Sequence, residues 1–337
     1  MTVQPRIAIY GAGMVGTYLG GRLHEHAKVR FIARPHVAAT LKEQGLTVSD
    51  LHGYRKHLPA ESLDIATQSH AARDVDAVLV TVKSAATMEV AHELADVLAP
   101  GTLVISFQNG VRNTAELRAA LPSCPVLAGM VPFNVTQPEP AHFHQGSSGV
   151  LMAEQSPALA SLLATFSASG LPLQQRDDMQ AVLWAKLLIN LNNPLNALSG
   201  LPLREELAQR AWRQCLALLQ QEGLRVLHAA GIRPAQLTAL PARWLPTVLS
   251  MPDAVFHRIA SRMLAIDPLA RSSTWDDLQA KRRTEVDYIN GEIVALATSK
   301  GLRAPANAYL VALMREAEQC YVRWQPQALL RTLRNPP

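Results

Sequence analysis

Aromatic residues make up 5% of this 337-residue chain, and there are three cysteines. The Lys and Arg residues are scattered and are not interleaved with rings, so no nucleic-acid surface is expected. Cys124, Cys215 and Cys320 are odd in number, far apart and without metal-ligand spacing. They read as buried thiols in a reducing compartment, and no metal site is expected. No stretch offers about eighteen uninterrupted apolar residues, so no membrane span is expected. The apolar run at Ile7 lacks the long core of a signal peptide, which makes the expected location cytoplasmic. A net charge of +5 is too mild to point to a polyanionic partner.

What the chain has is Ala, Leu and enough length for two domains. Its clearest local pattern comes first. The strand-like run Arg6–Tyr10 leads into Gly11-Ala12-Gly13-Met14-Val15-Gly16 and then a helical pattern to His26. A G-x-G-x-x-G with a strand before it and a helix after it fits a dinucleotide site. Gly11 permits the turn, Gly13 admits the pyrophosphate to the backbone, and Gly16 allows close packing of helix on strand. The N–H groups of the helix start, at Ala12, Met14 and Val15 as well as the glycines, face the phosphates. The second strand, Val29–Ile32, is followed by Arg34, where an NAD-preferring domain carries an acid. An arginine fork suits the 2′-phosphate, so NADP(H) is the expected cofactor. Further on, Lys83 follows the strand Ala77–Val82 and Asn109 follows Leu103–Phe107. Ligands bind beyond the carboxyl ends of such strands, so both are candidates. The dinucleotide-binding domain is expected to span 1–176, with a helical domain over 177–337.

In the second half, Asp178–Leu198 reads as one amphipathic helix, with Leu187, Leu188, Leu191, Leu195 and Leu198 on its core face. Lys186, Asn190 and Asn193 share another face. Asn is a poor helix former, and Pro194 kinks what it joins, so this stripe reads as a site. Leu203–Ala230 reads as a long helix and Ala254–Ala265 as another. Ser273 with Asp276, or Thr274 with Asp277, offers a capping box for the helix carrying Glu285. Thr284–Glu292 reads as the inside of that helix. Asn290-Gly291 within it implies close approach of a backbone or a ligand, since an interior glycine costs about 1 kcal/mol.

These residues together resemble the ketopantoate reductase family. The resemblance rests on the glycine fingerprint, Arg34, Thr81-Val82-Lys83, Asn109-Gly110, Trp184-Ala185-Lys186 with Asn190, Ser272-Ser273 with Asp277, and Thr284 through Gly291. It implies an α/β Rossmann-like N-terminal domain and an all-α C-terminal domain like that of 6-phosphogluconate dehydrogenase. The implied activity is NADPH-dependent reduction of ketopantoate to (R)-pantoate in pantothenate synthesis. Carried over residue by residue, Lys186 is the proton donor, and Glu285 lies by the cofactor and active site, where it orients Lys186 or the cofactor. Lys83 and Asn109 contact cofactor and substrate, and Asn134 joins the cofactor set. Asn190, Asn193 and Ser273 contact substrate.

Two positions depart from the family pattern. The family's second asparagine lies eight residues after the lysine, where this chain has Pro194, with Asn193 one residue early; a further substrate-contacting asparagine aligns with Leu203. They keep open a paralogous reductase of another small 2-oxo or 3-oxo acid. A non-catalytic NADP(H) sensor is the third reading, although a sensor has no need of Lys186, Asn190 and Glu285 together. The Ala/Leu-rich second half has the composition to bury a homodimer interface.

Overall fold

The computed structural model describes residues 4–259 and 270–336. The chain splits after Met179 into two compact units. The first is α/β and the described part of the second is helical, as expected from the sequence.

Twelve strands lie in the first unit: β1 (Arg6–Tyr10), β2 (Lys28–Ile32), β3 (Leu46–Asp50), β4 (Arg55–Leu58), β5 (Asp64–Ala66), β6 (Ala77–Val80), β7 (Leu103–Ser106), β8 (Val126–Met130), β9 (Val135–Glu139), β10 (His142–Gln145), β11 (Leu151–Glu154) and β12 (Leu173–Arg176). Eight form one sheet in the order β12-β11-β8-β7-β6-β1-β2-β5. Its pairs are parallel except β8 with β11. β1 and β6 carry runs of apolar side chains with Ile7, Ala8, Ile9, Val78 and Leu79 fully buried. Such runs fit strands covered on both faces. The covering helices are α1 (Met14–Leu23), α2 (Pro35–Gln44), α3 (Thr87–Ala95), α4 (Asn113–Ala120) and α5 (Ala160–Ala168).

β3 and β4 pair as an antiparallel hairpin within a second sheet of order β4-β3-β10-β9. There β3 pairs in parallel with β10 from far along the chain. The outer face of α1 packs on this sheet, where Gly21 lies against Val48.

The second unit contains α6 (Met179–Asn190), which begins at the last residue of the first, then α7 (Asn192–Ser199), α8 (Leu203–Ala208), α9 (Arg210–Ala229), α10 (Leu245–Ser250), α11 (Asp253–Ile259), α12 (Ser273–Gln279), α13 (Asn290–Ser299), α14 (Pro305–Gln319) and α15 (Pro326–Arg334). Four sequence expectations are corrected here. The helix expected over Asp178–Leu198 is two, broken at Leu191, because Pro194 leaves the Asn190 carbonyl without a helical donor. The helix expected over Leu203–Ala230 is also two, broken at extended Gln209. The buried Arg213 guanidinium donates to the carbonyls of Leu207 and Ala208 and so satisfies the first helix end. Glu285 is not carried by the helix that Ser272 and Ser273 begin, which ends at Gln279. Nor is Asn290-Gly291 interior, because a short 3₁₀ turn at Val286–Tyr288 precedes α13 and the pair opens it. The helix expected at Ala254–Ala265 is present as α11, and its remainder lies outside the described residues.

Candidate active site

At the carboxyl end of β1 the backbone turns sharply. Gly11 adopts φ +104°, a left-handed value that favours glycine, and a Cβ there would lie 2.6 Å from Val82 Cγ1. A Cβ on Gly16 would overlap the Gly11 carbonyl and Thr81 Oγ1, so only glycine lets α1 pack this closely on the sheet. Thr81 Oγ1 donates to the Gly11 carbonyl at 2.7 Å, tying β6 to the turn. Gly13 differs, since a Cβ there would meet nothing within 4 Å. The backbone is therefore open to a ligand where α1 starts, and no side chain caps that helix end. These features fit a dinucleotide pyrophosphate, with Ala12, Gly13, Met14 and Val15 at the opening. Arg34 stands exposed two residues past β2, at the cap of α2, and has no ion pair among the described residues.

Lys83 and Asn109 sit beyond the ends of adjacent strands β6 and β7, both half-buried. A network that composition did not reveal joins their loops. Buried Gln108 donates to the Val82 carbonyl and to Thr87 Oγ1. Ser84 Oγ and Asn113 Nδ2 both donate to the Asn109 carbonyl. The backbone at both candidates is thus fixed by side chains one or more residues away. Asn134 is exposed in the loop before β9, where its N–H donates to Ser147 Oγ.

In the second unit Lys186 lies on α6 and Asn190 one turn later, half-buried and buried respectively. Desolvation is the sole cause that pushes the Lys186 ammonium down, to about 8. No carboxylate pairs with it among the described residues, so of the two roles expected of Glu285, orienting Lys186 or the cofactor, direct pairing with Lys186 is not made in this structure. Glu285 is half-buried and caps the 3₁₀ turn with its carbonyl, which accepts from Tyr288 N–H. Three anchors fix the segment around it. Thr284 donates twice to Glu318, Asp287 pairs with Arg315 at 2.6 Å, and Asn290 Nδ2 donates to Asn307 Oδ1. Glu222 in turn receives the N–H groups of Ala306 and Asn307 and the Asn307 side chain.

Of the two approaches expected at Gly291, that of another backbone is not made, because a Cβ there would make only ordinary contacts. Close packing occurs instead at Gly223 of α9, where Leu188, on the core face of α6, and Ile293 of α13 converge. The Lys186 helix and the helix after Glu285 therefore share one packing point. Ser272 is the N-cap of α12, accepting from Trp275 N–H, whereas Ser273 is exposed. The capping role expected of Ser273 thus falls one residue earlier. Ser272 Oγ also donates to the Asn193 carbonyl at 2.9 Å, which brings the Ser272-Ser273 loop to the end of the Asn stripe.

Among the described residues no group of His, Cys, Asp and Glu is arranged to hold a metal ion, and no helix is long and apolar enough to cross a membrane.

Residues 7–156 match the family model described as ketopantoate reductase PanE/ApbA, and residues 178–318 match that of its C-terminal domain. The chain is similar to a 2-dehydropantoate 2-reductase of Halobacterium salinarum, 26% identical, with 93% of this chain and 99% of that protein covered. A PanE/ApbA family ketopantoate reductase from Ralstonia eutropha superposes with a TM-score of 0.79 at 30% identity, covering 93% of this chain and 98% of that one. D-mandelate dehydrogenase, solved with NADH and anilino(oxo)acetate, superposes at 0.78 with 20% identity over the same shares, a likeness of fold.

Proposed function

Because this chain belongs to the ketopantoate reductase family of oxidoreductases, we propose that it reduces ketopantoate to (R)-pantoate with NADPH, as a step of pantothenate synthesis. The observation that carries the reading is Lys186. It is a desolvated ammonium with no acid partner, and a carboxamide, Asn190, follows one turn later. NADPH supplies the hydride for the keto carbon. Lys186 then donates its proton to the keto oxygen and stabilises the negative charge forming there. At pH 7, a group with a pKa of about 8 is mostly protonated, the state a general acid needs. Asn190, Asn193 and Ser273 orient the oxo acid and its carboxylate, and Asn109 and Lys83 hold cofactor and substrate groups at the strand ends. The glycine turn, from Gly11 to Gly16, seats the pyrophosphate. Arg34 supports NADPH over NADH: it is exposed past β2, has no ion pair among the described residues, and no acid follows that strand in sequence before Glu43.

A second reading, reduction of a different small 2-oxo acid, is favoured by Pro194, which breaks the helix where the family places its second asparagine. A panel of 2-oxo acids with the purified protein separates the two. NADPH oxidation fastest with ketopantoate supports the first. A rate no faster with ketopantoate than without it, while another 2-oxo acid is reduced, rejects it.

A further inference from the structure

The carboxyl group of Glu206 on α8 is fully buried. Asn196 Nδ2 donates to its Oε2 at 2.5 Å, and the Asn192 side chain also reaches it. Among the described residues no cation pairs with it. Two oxygens in this cluster have no hydrogen-bond partner there, Glu206 Oε1 and Asn192 Oδ1. A carboxylate leaves both without a donor, an arrangement that burial makes costly. A proton on Oε1 turns that oxygen into a donor within the cluster.

The surrounding bonds run in one direction from this carboxyl. Asn196 Nδ2 also donates to the Leu201 carbonyl. Its Oδ1 accepts from Ser272 N–H at 2.8 Å, which fixes the orientation of the carboxamide. Ser272 then passes the connection to the Asn193 carbonyl. The cluster therefore determines where the loop carrying Ser273 meets Asn193.

We propose that Glu206 is a positioning residue held as a neutral carboxylic acid, whose O–H donates to Asn192 Oδ1 and which, through Asn196 and Ser272, sets the Asn193–Ser273 wall of the substrate site. Burial pushes the Glu206 carboxyl up to about 8, against the opposing effect of the two carboxamides. The neighbouring groups do not reverse this. On α9, Cys215 is itself pushed up to about 12, chiefly by burial, so it stays a thiol. Arg213 of α9 is spent on carbonyls and on Asp253. Arg334 of α15 acts on Cys215, while Arg271 and Arg323 donate to the carbonyls of Gly200 and Ser199 beyond α7.

The test is Glu206→Gln, which keeps the shape and puts an N–H where the acid has its O–H. Infrared difference spectra of wild type against E206Q are recorded at about pH 6 and about pH 10, either side of the carboxyl's value. The expected result is a protonated-carboxyl C=O band at the lower pH, replaced by carboxylate bands at the higher. Carboxylate bands at both overturn the assignment. The second arm rests on the functional reading above. The rise of KM with pH, for whichever 2-oxo acid the protein reduces, should be about tenfold larger in wild type than in E206Q, the scale of one lost buried hydrogen bond, because Lys186 alone still titrates in the variant. Superimposed KM profiles overturn the positioning role. The infrared arm needs no turnover, so failure of the proposed substrate is distinguishable from failure of this assignment.

Discussion

Replacing Lys186 with Met should make the protein more stable and nearly inactive at neutral pH. Desolvation moves the ammonium from its ordinary 10.5 to about 8. That is at most about 3 kcal/mol of penalty carried by the charged form. The group's folded value is depressed, so the folded protein binds fewer protons than the unfolded chain between about 8 and 10.5. Stability therefore rises with pH through that window, and below it the whole penalty is present. Met removes the charge and keeps the aliphatic stem, so K186M should gain up to about 3 kcal/mol near pH 7 and nothing above about pH 10.5. Turnover should drop by roughly 10²- to 10⁴-fold, the scale of a positioned general acid. In wild type, kcat/KM should bend downward above about pH 8. Denaturant unfolding of both proteins at the two pH values, beside NADPH oxidation, reads all of this. A K186M variant that is destabilised at pH 7, or shifted equally at both pH values, would refute the desolvated ammonium.

Other consequences are as direct. Arg34→Asp should move the NADH-to-NADPH ratio of kcat/KM toward NADH by roughly 10- to 100-fold, the loss of a charge-assisted phosphate contact; an unchanged ratio makes Arg34 a surface residue. Gly16→Ala places a methyl against Gly11 and Thr81 and should cost about 1–3 kcal/mol of stability as an overpacked contact. Gly13→Ala, with open space around its Cβ, should unfold like wild type and lose only NADPH affinity in a fluorescence titration. The raised Glu206 carboxyl makes the folded protein bind more protons than the unfolded chain between 4.5 and about 8. Wild type should therefore lose stability as pH rises through that window, by at most about 5 kcal/mol, while E206Q shows no such loss in thermal unfolding.

The first unit's cofactor turn was legible because its signal is local. Gly11 and Gly16 are each sterically required, Gly13 leaves the backbone open, and a strand and a helix flank them. Arg34 stood out one strand further on, by the absence of the usual acid. The clamp of Gln108 and Asn113 was not, since hydrogen bonds between successive strand ends depend on the sheet's register. Nor was the parallel pairing of β3 with β10, which two separated segments make only once the chain is folded. In the second unit the stripe of Lys186 and Asn190 stood out as poor helix chemistry on one face. The breaks at Leu191 and Gln209 were harder to see, because a proline can either kink a helix or end it. At Gln209 it is a buried arginine from the next helix that satisfies the last carbonyls. The apolar recurrence at Val286, Ile289, Ile293 and Leu296 falls on three buried positions and one half-buried one, but it did not distinguish a 3₁₀ turn followed by a helix from one continuous helix. Glu206 gave no sequence signal, since an acid beside Glu205 early in a helix looks like an ordinary first turn.

The central claim is direct hydride transfer from NADPH to the keto carbon of ketopantoate, and isotope tracing tests it most directly. With NADPH deuterated at the transferring C4 position, the account predicts pantoate carrying one deuterium at C2. Pantoate formed without deuterium, or deuterated cofactor oxidised with no pantoate formed, would contradict it.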